Sequence, residues 1–176
     1  MVMENTQRAD NRDDIGPIIE SLTRIVEREV EAFQSLLEAL ESQQASIVRG
    51  DTDSVTADTE RVETLVGETR NLEQERWGQS LVLSKRMMVE QKLTLTKLIP
   101  LVEKKYADRL EALRSMLMGL AEKIRDTNEH NRRLLAQSLE FVDRSLRFLV
   151  ESKNPIAYSK RGMMQSVGSP MYKGLG

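Results

Sequence analysis

Apolar residues in this chain recur at alternating steps of four and three along most of its length, a period that suits α-helices packed side by side and no strand. Val26, Val30, Phe33, Leu37, Leu40, Gln44 and Ile47 make the first seam. Asp14 and Pro17 form a helix-start signal ahead of it, and Gly50 follows it as a residue able to take the left-handed stop conformation. The spacing predicts a helix over 17–48, roughly 50 Å long at 1.5 Å per residue. A second helix is predicted over 54–77, with Val55, Val62, Leu65, Thr69 and Leu72 on the shared seam and Trp77 and Gly78 at its end. Its threonines and Gly67 weaken it, so it depends on its neighbours.

The third pattern is the longest. Leu110, Leu113, Leu117, Leu120, Ile124, Thr127, Asn131 and Leu134 step by three and four, and Ser138, Phe141, Ser145 and Phe148 keep the register. A helix over 101–150 would be roughly 75 Å long. Residues 79–99 fit one or two short helices or an extension of either neighbour, and Pro100 marks a break or a helix start. The expected fold is all-α: an elongated antiparallel bundle of three long helices with a short helical connector and coiled-coil-like packing. Residues 1–14 are expected to be a disordered N-terminus, 15–151 the helical bundle and 152–176 a flexible tail, in which Ile156, Tyr158, Met163, Met164, Val167, Met171 and Tyr172 are spaced as apolar beads.

Composition narrows the chemistry. The 176 residues are 39% hydrophobic and 31% charged but only 4% aromatic, which suits one domain of long, surface-rich helices. Cysteine is absent, so disulfides, thiolate metal sites and thiol nucleophiles are excluded, and a reducing cytoplasm is the compatible compartment. The lone histidine, His130, has no second histidine to complete a metal site and reads as a surface residue. No phosphate loop or nucleophile elbow occurs, so the chain is not expected to be an enzyme or to carry a cofactor. The first 14 residues contain no apolar run and do not read as a signal peptide, and charges interrupt every apolar stretch before it reaches membrane-spanning length.

Net charge is −2, yet residues 1–80 carry 18 acidic and 8 basic residues while 81–176 carry 10 acidic and 18 basic. Alternation of sign and the lack of interleaved aromatics argue against nucleic acid, so attraction between antiparallel halves is the expected use. Arg49, Gly50 and Asp51 spell an adhesion tripeptide, but a glycine stop followed by an aspartate cap explains them within a helical chain.

The segment 134–150 stands apart. On a wheel at 100° per residue, Leu134, Phe141 and Phe148 lie on one edge, Leu135, Val142 and Leu149 near the middle, and Leu139, Leu146 and Val150 on the other. That arc of about 180° or more exceeds the roughly 100° that burial on one side requires. Three coverings are open: the bundle itself, with 81–99 lying across the segment; a partner helix docked on an exposed groove; or self-association into a homodimer.

The run Asn128, Glu129, His130, Asn131, Arg132, Arg133, Leu134 and Leu135, followed by Gln137, Ser138, Leu139, Glu140, Phe141 and Val142, resembles the signature of the FlgN family. The turn at Arg49, Gly50 and Asp51 is similar to the family's Gly-Asp turn, and Tyr158 and Gly162 match residues that follow its last helix. The resemblance covers about residues 15–162. It implies a cytoplasmic, non-enzymatic flagellar export chaperone. Such a chaperone binds the hook-associated proteins that join hook to filament and delivers them to the type III export gate and its ATPase complex. Carried over residue by residue, it assigns partner binding to Leu135, Leu139, Phe141, Val142, Leu146 and Leu149, and gate or cargo contact to Tyr158. Asn128 and Asn131 match the motif without an assigned role, though a polar residue on the seam is suited to fixing helix register. The competing class is a coiled-coil adaptor unrelated to secretion.

Overall fold

The computed structural model describes residues 3–89 and 93–152, with side chains placed over 15–89 and 93–150. Among these residues the chain is all-helical: α1 spans Met3–Arg49, α2 Thr52–Arg86, α3 Leu95–Leu98 and α4 Lys104–Ser152, with a 3-10 turn over Ile99–Leu101 ahead of α4. Long helices pack against one another, as the seams require. Two compact units are present, Met1–Leu135 and Ala136–Gly176.

The α1–α2 corner follows the expected chemistry. Gly50 takes φ 69°, its N–H donates to Ile47 O at 3.0 Å, and the Asp51 N–H donates to Ser46 O at 3.1 Å. These two bonds satisfy carbonyls that the end of α1 would leave bare. Asp51 then caps α2, its side chain accepting from the Ser54 N–H at 3.1 Å and from the Ser54 hydroxyl at 2.6 Å. These bonds hold the Asp51 carboxyl below its ordinary range. The tripeptide is a two-helix corner.

Two boundaries differ from the sequence expectation. Helix α1 begins at Met3, so the stretch assigned to a disordered N-terminus has helical backbone and Pro17 lies inside the helix. Nothing between Met3 and Asp14 is a glycine or proline, so no local signal stops the helix there. Helix α2 runs on past Trp77 and Gly78 to Arg86. Ser80, Leu83 and Ser84 continue its buried face, and that burial outweighs the roughly 1 kcal/mol cost of a helical glycine. Trp77 is half-buried within the helix rather than standing at its end. Residues 79–86 therefore extend α2, and Leu95–Leu98 forms the short helix.

Packing within the first unit centres on α1. Helix α2 runs antiparallel to it, as the pairs Arg28 with Glu75, Glu29 with Arg76, Gln43 with Thr59 and Ser46 with Asp58 show. Helix α4 lies along α1 in the same direction: Arg109 donates to Glu20 and Glu27, and Asn131 donates to Leu40 O and Gln43. Arg109 joins the basic half to the acidic half as expected. The ion pairs of Arg28 and Arg76, however, lie inside the acidic half.

Ile19 and Leu22 from α1, Leu83 from α2, Leu93 and Leu98 from the connector and Leu110 from α4 form one apolar cluster. Met87, Val89, Leu95, Ile99, Val102 and Tyr106 pack around it. The connector thus seals the end of the unit where α1's first apolar turns, the close of α2 and the start of α4 meet.

Met88 takes φ 53° in the α2 stop motif, where its N–H donates to Lys85 O and the Val89 N–H donates to Ser84 O. A side chain in that conformation costs about 1–2 kcal/mol, and Met88 is almost fully exposed. Replacement M88G should raise stability by about 0.5–1 kcal/mol after glycine's greater unfolded entropy is counted, read as a higher melting temperature. Glu29 is buried against α2. Burial pushes its carboxyl above the ordinary glutamate range even though Arg76 pulls the other way. A raised acid binds its proton more tightly when folded, so its contribution is full below the ordinary range and falls as pH rises through the raised value. Stability measured against E29Q should decline over that window.

Candidate docking face on the last helix

Helix α4 changes environment along its length. Leu110 and Asn131 are buried, and Leu113, Leu117, Leu120, Ile124, Thr127 and Leu134 between and after them are half-buried, so the predicted seam faces its neighbours. Within the second unit no residue from 136 to 150 is buried, and Ser145 alone is half-buried. Leu139, Phe141 and Phe148 are 70%, 71% and 72% exposed, with Val142, Leu146, Leu149 and Val150 above half. Seven large apolar side chains thus meet solvent on about three turns of one helix.

The helix persists there on local terms. Glu140 pairs with Arg144, and Asp143 pairs with Arg147 at 2.7 Å, each with the acid four residues ahead of the base, the favourable order along a helix. Upstream, Glu129 pairs with Arg133 at 3.0 Å in the same sense. The Ser145 hydroxyl donates to Phe141 O at 2.9 Å, satisfying its own polar group while keeping the apolar arc free of a bare hydroxyl. Asn131 lies against Leu40 and Gln43, and α1 ends at Arg49, six residues beyond Gln43, while α4 continues 21 residues beyond Asn131.

Asn131 is 1% exposed. Its Nδ2 donates to Leu40 O at 2.8 Å and to Gln43 Oε1 at 3.1 Å, while its buried Oδ1 has no partner. Two directed bonds at one height define the register of α4 on α1, and the orphaned oxygen is the energetic cost of that definition. Asn128 is exposed and shares none of this, so the two motif asparagines separate. Gln43 and Glu29 escaped the sequence reading; their signal was a polar residue on the same wheel face as Leu36, Leu40 and Val26.

Of the residues assigned to partner binding, Leu139, Phe141, Val142, Leu146 and Leu149 come together on the exposed arc. Leu135 is half-buried and belongs to the first unit. Tyr158 lies outside the described residues. Phe148 and Val150 join the arc without having been assigned. Leu93, Leu98 and Ile99 pack in the cluster with Ile19 and Leu110, within the first unit.

Other surfaces offer less. An open cleft of about 590 Å³ gathers Glu20, Glu103, Lys105 and Tyr106. There Lys105 pairs with Glu103 at 3.3 Å and sits 4.5 Å from the Tyr106 ring centre, so the charges answer one another. His130 is exposed. Among the described residues no cluster of acidic or histidine side chains could hold a metal ion, and no helix is long and apolar enough to cross a membrane.

Replacement N131D tests the buried amide. A carboxylate cannot donate to Leu40 O or Gln43 Oε1 and would be desolvated, so the loss should be about 3 kcal/mol or more at neutral pH. Part of it should return on acidification, when the new acid is protonated, as followed by urea unfolding.

Neither curated proteins nor solved structures give a match to this chain. The family model described as FlgN protein matches residues 18–166, which includes the corner at Gly50, the buried Asn131 and the whole exposed arc. The chain belongs to the FlgN family of flagellar export chaperones.

Proposed function

We propose that this protein captures hook-associated proteins, the junction proteins between hook and filament, on the apolar arc of α4 and carries them through the cytoplasm to the export gate and its ATPase complex. In this reading the three long helices, with α3 and the 3-10 turn as connector, are the holdfast that presents the arc. The observation that supports it is the open row of Leu139, Phe141, Val142, Leu146, Phe148, Leu149 and Val150 on a helix with no buried residue between 136 and 150. Such a face is costly to leave in water and favours an amphipathic helical partner, whose leucines would replace solvent against it. Tyr158, beyond the arc, is proposed to contact cargo or gate. Serines at 138 and 145 let a partner backbone approach closely.

A non-secretory adaptor is the contrasting reading, and family membership weighs against it. Titration of the purified chain with hook-associated protein termini separates the two. A chaperone gives a one-to-one complex; an adaptor for other partners gives none. Paired replacement L139D and L146D should weaken the complex at least tenfold, since each removes an apolar contact of the arc worth more than about 1 kcal/mol. M116S, at an exposed position of the first unit, should leave affinity unchanged. Ending the chain after Asn131 should abolish binding while keeping much of the helix content. Retained affinity in that truncation would move the site to α1 and α2.

A further inference from the structure

The width of the exposed arc carries information about its occupant. Along 110–134 the α4 seam, from Leu110 to Leu134, covers about 120° at 100° per residue. Along 139–150 the exposed apolar residues cover about 200° on the same wheel. The added width falls on both sides of the seam: Phe141 and Phe148 extend one edge, Leu139, Leu146 and Val150 the other, with Val142 and Leu149 between.

Helix α1 calibrates what such a width means in this fold. Its buried apolar residues, from Ile19 through Leu22, Val30, Leu36 and Ala39 to Ile47, cover about 180° of circumference. That helix has two neighbours: α2, at Glu29, Gln43 and Ser46, and α4, at Glu20, Glu27 and Leu40. A single neighbour covers roughly 100°. One docked helix would therefore leave either the phenylalanine edge or the Leu139 and Leu146 edge in water.

The geometry points to a partner that lays two separate amphipathic helical segments against α4, one along each edge of the arc, so that this end of α4 becomes the centre of a helical cluster as α1 is in the first unit. The inference rests on the cargo reading above and specifies its mode. The area agrees: seven side chains, each exposing on the order of 100 Å², offer about 700 Å², close to the roughly 800 Å² per partner of a stable specific complex. Pairing with the α4 of one second copy supplies only one neighbour and leaves half the arc bare.

The test places a photoreactive benzoylphenylalanine at position 141 or at position 146 of the full-length chain. Each is irradiated in complex with a full-length hook-associated protein, and the adducts are mapped by mass spectrometry. The two positions should mark two non-overlapping segments of the bound protein, each with apolar residues at helical spacing. Adducts from both positions on one segment would overturn the two-segment mode while leaving cargo capture intact. So would adducts from either position to a second copy of this chain or to its own residues 153–176. Absence of any complex with hook-associated proteins would remove the cargo reading, and this inference with it.

Discussion

Helix α1 is shared by two neighbours, and the chain's other features follow from how its apolar stripe is divided. Val26, Val30, Leu36, Ala39 and Leu40 are buried because α2 returns along one flank and α4 along the other. A helix of such ordinary propensity holds its shape through that burial rather than through local preference. Polar groups inside the stripe then decide alignment. Glu29 accepts a two-oxygen bond from Arg76, and Gln43 joins Thr59 to Asn131. Apolar contacts supply cohesion here, and the buried polar bonds say which residue lies beside which.

Asn131 is set against Leu40 and Gln43 within the first unit. The seam continues without change of period through Phe148, so nothing in the local sequence distinguishes a residue that will be covered from one that will not. Covering is a matter of register and length. Within the second unit the apolar side chains of 139–150 are exposed on a formed helix. The intrahelical pairs of Glu140 with Arg144 and Asp143 with Arg147 keep that stretch helical and charged on its back. Its apolar side is exposed.

Much of this could be read in the sequence, for identifiable reasons. The seams of α1 and α4 were legible because leucine, valine and isoleucine at steps of three and four leave no other period. The corner at Gly50 was legible because glycine and aspartate each have one dominant use there. The end of α2 was not. Gly78 carries a local stop signal, yet Leu83 and its flanking serines are buried, and tertiary packing outweighed the glycine. Helix α1 starts ahead of Pro17 because residues 3–14 contain nothing that ends a helix. On α4 the width of the arc was visible in the sequence, whereas its exposure was not, since periodicity records which residues are apolar and says nothing of whether a neighbour reaches them. The pairing of Asn131 with Gln43 lay beyond the sequence altogether, because it joins residues 88 apart.

Amide hydrogen exchange over residues 136–150, in the free protein and with a hook-associated protein bound, addresses the central claim most directly. The account predicts fast exchange in the free chain beside slow exchange in α1 between Leu22 and Ile47, and strong protection of 136–150 only in the complex. Protection of 136–150 already present in the free monomer, or unchanged on adding the partner, would contradict it.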